Sequence, residues 1–390
     1  MTSLTAIEKN LNPFPIYKTM RKRQPVFYDP ERSSWNVFNY NDVERVLSDY
    51  EIFSSGFHHS PKTATDYPLQ ASIISTDPPR HRQLRALATQ AFTPRNVDAL
   101  APRIQAIVDE CLDKVMPLGR MDVIRDLGYP LPTIVIAELL GIPTEDRQQF
   151  KIWSDWIVQN TEDTEQINPE LMHNNKVLEM STYFIEMVQK RQEHPGEDLI
   201  SGLVQASIDG ERLNITELLG FCTLLLIAGN ETTTNLIGNA LLSFSEHPEI
   251  WQRLRQNPGL VPQAIEEVLR YRSPVQAMFR YSKSDVQMDG QTIPAGSRLI
   301  AWIGSANHDE SQFESPEVFD IERNPNRHIA FGHGVHYCLG APLARLEARI
   351  ALNEMLKRFA TIAKAAQAVP KRLPSLIVYG LDSLPITITS

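Results

Sequence analysis

The chain has 390 residues, 42% of them hydrophobic and 22% charged, which suits a globular protein able to bury a large core and a large apolar group within it. That apolar content excludes a largely disordered chain. Its 38 basic and 47 acidic residues leave a net charge of -9 without any Lys/Arg-rich block, which excludes nucleic acid as an expected partner.

No Gly-, Ser- or Pro-rich stretch with a shift in composition marks a linker, so residues 1–390 read as one domain. Residues 1–26 interleave Lys, Glu, Asn and Pro and lack the apolar core of a signal peptide. The most apolar run, 218–229, falls short of the roughly 20 residues that cross a bilayer, so a soluble protein without a membrane anchor is expected. Cys111, Cys222 and Cys338 stand more than a hundred residues apart with no CxxC pair, the usage of reduced thiols in a cytoplasmic protein.

The first predicted elements are the β-type runs PVFYD and WNVFNY, a small sheet at about 25–40, followed by the helical pattern NDVERVLSD. A helical core then runs from about 77 to 270, through DPPRHRQLRALATQAF, RNVDALAPRIQAIVDECLDKV, LPTIVIAELLG and LMHNNKVLEMSTYFIEMVQKRQ. Asn214 and Glu217 have capping-box spacing and start a long helix that continues to about residue 244, roughly 45 Å at 1.5 Å per residue. After the short helix PQAIEEVLRYR, a second β region at about 275–305 is divided by Asp-Gly and Ala-Gly turn signals. An irregular stretch, FESPEVFDIERNPNRH, leads into a glycine-rich loop and a helix at about 338–360, and the chain closes on a β-like tail at about 374–390. There is no internal repeat.

The glycine-rich loop, 331–345, reads FGHGVHYCLGAPLAR. Gly332 and Gly334 permit positive φ, so the backbone can fold tightly and direct amide N–H groups at the Cys338 sulfur. The sulfur also lies at the positive end of the following helix, which predicts a lowered pKa and metal ligation. A lone cysteine is more often a small buried hydrophobe; the flanking glycines favour a ligand here.

This loop strongly resembles the signature F-G-x-G-x-H-x-C-x-G of the cytochrome P450 family, met at Phe331, Gly332, Gly334, His336, Cys338 and Gly340. The resemblance implies a mainly α fold with small β sheets, haem b as cofactor and Cys338 as axial ligand to the haem iron, where thiolate electron donation favours cleavage of the O–O bond. It extends over nearly the whole chain, with the family's motifs in order.

In the long helix, Ala228-Gly229-Asn230-Glu231-Thr232-Thr233-Thr234 places a glycine and three β-branched residues where Ala or Leu would be favoured. Taken alone, this reads as a helix packing contact with threonine hydroxyls bonded back to the helix. It is also similar to the family's A/G-G-x-D/E-T pattern. That implies that Glu231 and Thr232 deliver protons to dioxygen while Ala228 and Gly229 leave room beside the haem. Glu267 and Arg270, at i and i+3, could be a solvated helix pair. The resemblance instead makes them a buried structural pair completed by Arg323. His81 and Arg85 share a helix face and, with Arg280 and His336, are implied ligands of the haem propionates. One departure is Ala306-Asn307-His308-Asp309, where relatives read A-N-R-D.

The resemblance implies insertion of one oxygen atom of O2 into an apolar small molecule, with electrons from NAD(P)H through ferredoxin reductase and ferredoxin, by a monomer. Arg82, Arg345 and Arg349 are the candidate basic patch for the ferredoxin. The implied pocket walls are segments 57–74 and 159–176, Leu224, Ile227 and Ala228, then Val275, Met278, Ile377 and Val378. The alternatives are a haem-thiolate enzyme that uses peroxide or catalyses another reaction, and a non-catalytic haem sensor or carrier ligated through a histidine.

Overall fold

A computed structural model describes residues 12–56, 71–150, 152–153, 156, 175–207, 210–366 and 369–389. Helix α1 (Phe14–Arg23) precedes strands β1 (Val26–Asp29) and β2 (Ser34–Val37). Helix α2 (Tyr40–Ser48) then leads to the short strand β3 (Phe53–Ser54). The helical body begins with α3 (Arg80–Ala91), α4 (Pro94–Ala99) and α5 (Ala101–Val115), continues through strand β4 (Arg120–Asp122), and resumes with α6 (Pro130–Leu139). It goes on with α7 (Asn175–Glu193), α8 (Leu199–Gln205), α9 (Ile215–Glu246), α10 (Pro248–Gln256) and α11 (Val261–Tyr271).

The expected helix across 95–115 is two helices. Leu100 ends α4, and Pro102, which has no N–H to give, sits in the first turn of α5. Strand β4 lies inside the stretch expected to be helical and pairs across the chain with the tail, Asp122 opposite Pro385. Local propensity does not reveal such a partner.

The long helix starts where its capping box predicts: Asn214 Oδ1 accepts the Glu217 N–H and Glu217 Oε2 accepts the Asn214 N–H, each at 3.0 Å. Its 32 residues span about 48 Å. It packs against α6, α11 and the helix α13 (Ala341–Arg358) that follows Cys338. Its apolar run belongs to the main hydrophobic core, with Leu226, Leu236 and Phe244 fully buried.

The second β region contributes β5 (Met278–Ser282), β6 (Val286–Met288), β7 (Gln291–Ile293) and β8 (Arg298–Ala301), before the short helix α12 (Ile303–Ala306). The main sheet has the order β1-β2-β8-β5-β3, with β2 and β8 parallel. Thus, while β6 and β7 pair separately, the N-terminal strands join β5 and β8 of the 275–305 region in one sheet. It carries Arg280 on β5 and Ser54 on β3 into the same neighbourhood. Strands β9 (Thr361–Lys364), β10 (Lys371–Arg372), β11 (Leu381–Ser383) and β12 (Pro385–Thr389) complete the chain.

Candidate active site

The cysteine loop has the predicted backbone: φ is 75° at Gly332 and 70° at Gly334. Gly334 is needed twice over, since a Cβ there would lie 2.8 Å from Ser48 Cα at the end of α2. The loop is closed by the Cys338 N–H donating to Phe331 O at 2.9 Å and the Gly332 N–H donating to Ile329 O at 2.9 Å. The backbone N–H groups of Gly340 and Ala341, at the start of α13, donate to the sulfur. Burial nevertheless dominates and pushes the Cys338 thiol above its ordinary pKa, with those N–H groups, Arg85 and Arg345 acting in the opposite sense. The expected lowering therefore does not occur in the chain alone. A bound cation at the sulfur is what would make it a thiolate.

Beside the loop, four groups converge. The rings of His81, on α3, and His336 lie 4.2 Å apart between centroids. Arg85, one turn after His81, donates to Val335 O at 3.3 Å, and Arg280 is 4% exposed on β5. Burial, then the positive charge of Arg85, holds His81 down to about 4. Burial, then Arg280 and His81, holds His336 down to about 3. Burial also lowers Arg280 to about 10. These groups disfavour one another's charge, and both ring nitrogens of buried His81 lack a hydrogen-bond partner. Such a cluster suits a buried anionic ligand, because charges taken from water must be paired. Two haem propionates meet that need, so haem fits these residues.

Reasoning from sequence missed the support behind this cluster. The Asp77 carboxylate accepts from Ser54 Oγ at 2.6 Å, the Ser55 N–H at 2.9 Å and Lys283 Nζ at 3.0 Å. Ser55 Oγ in turn lies 3.0 Å from His336 Nε2, across 281 residues of chain. Asp77 stays below the usual carboxylate range because these bonds outweigh the burial that opposes them. Asp77 and His81 do fall in one DPPRH run, and that spacing was the available signal.

On α9, Leu224, Ile227, Ala228, Glu231 and Thr232 are partly exposed or exposed and recur at i, i+3, i+4, i+7 and i+8, an open face widened by the part-exposed Leu225 and Gly229, midway along a mostly buried helix. Thr232 Oγ1 donates to Ala228 O at 2.7 Å. Thr233 is buried, and Thr234 Oγ1 bonds Gly128 O and Asn230 O, both at 2.9 Å. The three threonines thus divide: one lies on the open stripe and two pack. Gly229 lies against the neighbouring helix. A Cβ there would lie 2.6 Å from Ile136 Cδ1, so its smallness also serves the contact of α9 with α6.

Glu267 and Arg270 are fully buried and paired bidentately at 2.8 and 2.7 Å, not solvated. Arg323 joins them, with Nε 3.2 Å from Glu267 Oε2. Arg270 also donates to Asn307 O, Pro316 O and Val318 O, which fixes the irregular segment leading to the loop. His308, in place of the relatives' arginine, is buried and lies 4.5 Å from the Phe14 ring, with burial holding it down to about 3.

Of the expected pocket walls, Val275 bridges Val378, and the Gln276 N–H donates to Ile377 O at 2.8 Å, so these segments meet, with Met278 part-buried nearby on β5. Residues 57–70 and 159–174 lie outside the described residues. In the expected basic patch, Arg349 is exposed and Arg82 donates to Tyr50 Oη at 2.9 Å, but Arg345 is held bidentately by Glu266.

A cysteine sulfur cradled by helix N-terminal N–H groups, next to buried cations that need an anion, is an arrangement that a haem with a thiolate ligand fits. The sequence profile of the Cytochrome P450 family matches residues 6–388. Cytochrome P450 109 of Bacillus spizizenii is 44% identical over 100% of this chain and 95% of its own length. Cytochrome P450 monooxygenase PikC of Streptomyces venezuelae is 39% identical over 96% of this chain and 91% of its own. The crystal structure of CYP109E1 from Bacillus megaterium in complex with testosterone superposes with a TM-score of 0.88 at 44% identity, covering 97% of this chain and 100% of that one. The chain belongs to the cytochrome P450 family. It is a haem b monooxygenase that takes O2, an apolar substrate and electrons from redox partners.

Proposed function

We propose that Thr232, with Glu231, moves protons during monooxygenation, and that His81, Arg85, Arg280 and His336 hold the haem propionates beside Cys338. The observation that carries this reading is the open stripe of α9, on which Thr232 stands while Thr233 and Thr234 are buried. When bound, haem supplies the redox-active iron for reductive activation of O2, one oxygen atom going to the substrate and the other, with two protons and two electrons, to water. The Thr232 hydroxyl donates to Ala228 O and keeps lone pairs to accept a proton, so Oγ1 can act as a relay. Ala228, Leu224 and Ile227 give the same stripe an apolar surface for substrate.

Thr232→Ala is expected to load haem, bind substrate and consume reductant and O2, while releasing hydrogen peroxide in place of product. Added hydrogen peroxide should recover some product, since it brings its own protons. Thr233, about 100° around the helix, faces elsewhere. Uncoupling by Thr233→Ala with coupled turnover in Thr232→Ala would place the relay one residue on.

The same reading has a soluble, cytoplasmic monomer reduced by a ferredoxin and its NAD(P)H-dependent reductase, supported by three free thiols among the described residues. Arg82 and Arg349 carry the docking charge, Arg345 being neutralised. Reduction by ferredoxin should therefore slow as salt rises and on Arg349→Glu. Rates insensitive to both would remove the patch. CYP109E1 has been solved with testosterone and with corticosterone, so steroids lead a panel scored by substrate-induced shifts of the haem spectrum.

A further inference from the structure

We propose that Glu266 and Arg345 are positioning residues for the cysteine ligand, forming a strut from α11 that grips both sides of the Cys338 loop. Arg345 Nε and Nη2 donate to Glu266 Oε1 and Oε2, both at 2.7 Å. The same guanidinium lies 4.5 Å from the centroid of the Phe331 ring, and its Nη1 donates to Tyr337 Oη at 3.2 Å. Phe331 opens the loop and accepts the Cys338 N–H, while Tyr337 precedes Cys338 directly. One planar cation therefore seats against both arms of the loop, and one carboxylate on a core helix fixes that cation.

Glu266 has a second hold. His328 Nε2 lies 3.0 Å from its Oε2, and His328 Nδ1 accepts the Ala330 N–H at 3.3 Å. An accepting Nδ1 leaves the proton of the neutral ring on Nε2, so His328 donates to Glu266. Burial opposes charge on Glu266, but the Arg345 and His328 bonds overcome it and hold the carboxyl down to about 2. Its neighbour Glu267 holds the preceding segment through Arg270 and Arg323. Two adjacent carboxylates on α11 thus fix the chain on both sides of the cysteine. Arginine is required at 345 because a bidentate pair and a stacked face demand a planar fork; lysine supplies a point charge only.

The inference rests on Cys338 as haem ligand, which the ferrous carbon monoxide spectra of wild type and Cys338→Ser test separately. The test uses haem-loaded wild type, Glu266→Gln and Arg345→Lys. Under mild urea, the rate at which the carbon monoxide complex loses its thiolate-type spectrum is followed beside far-UV circular dichroism. Both variants are expected to lose thiolate ligation faster, on the order of tenfold or ~1.4 kcal/mol, while the helical signal unfolds with the wild-type midpoint. Glu266→Gln keeps shape and one hydrogen bond, and serves alone if Arg345→Lys loads no haem. Three results would overturn the strut: wild-type rates of thiolate loss in Glu266→Gln, full rescue of those rates by lysine at 345, or thiolate loss that moves only in step with global unfolding.

Discussion

Glu267→Ala is expected to yield a protein that melts early and retains little haem. The Glu267–Arg270 pair is fully buried, and Glu267 also accepts from the Asp320 N–H at 3.0 Å, Asn326 Nδ2 at 3.2 Å and Arg323. Removing the carboxylate leaves two guanidinium groups without their counter-ion in a low-dielectric interior, a loss of about 3–5 kcal/mol when one partner of a buried pair is deleted. That is a large part of the 5–15 kcal/mol that holds a typical protein folded. The damage falls on the segment that enters the cysteine loop, because Arg270 donates to Asn307 O and Pro316 O and Asn307 Oδ1 accepts the Ile329 N–H. Haem content per chain and the thermal midpoint read the result together. Full loading with an unchanged midpoint would show that the pair is dispensable.

Cys338→Ser should remove all monooxygenase turnover and leave no thiolate-type carbon monoxide spectrum in whatever haem remains bound. The hydroxyl is close in size and can sit under the Gly340 and Ala341 N–H groups, so the loop is expected to fold. Its oxygen, however, is far less acidic and less polarisable than sulfur, and does not replace a thiolate as ligand or electron donor. Product formation is the readout, and the proposed propionate ligands His81, Arg85, Arg280 and His336 are unchanged in this variant. Turnover at the wild-type rate in the serine variant would assign the chemistry elsewhere.

The parts of the site legible in sequence are those whose chemistry imposes local spacing. The loop glycines announce themselves because positive φ at 332 and 334 excludes most other residues, and the long helix because its capping box is read from Asn214 and Glu217 alone. The bidentate Glu267–Arg270 pair follows from i, i+3 spacing, although burial, which makes it structural, does not. Contacts between distant segments were not legible: Ser55 behind His336, Glu266 under Arg345, and Ile136 against Gly229. In the chain alone the Cys338 shift runs the other way for a related reason. Local N–H groups and a helix terminus predict a low pKa, whereas the surrounding fold buries the sulfur and burial wins. The pairing of β4 with the tail belongs to the same class, since a tertiary partner overrides local helical pattern, whereas the break at Leu100 has a local signal in Pro102.

The identity of the iron ligand is tested most directly by the carbon monoxide difference spectrum of the reduced, haem-loaded wild-type protein. Thiolate and imidazole ligation give distinct Soret bands in this state. A thiolate-type band, stoichiometric with haem and absent from Cys338→Ser, is the predicted result. An imidazole-type band in freshly prepared, fully folded protein, unchanged by Cys338→Ser, would contradict the account and make a histidine the ligand.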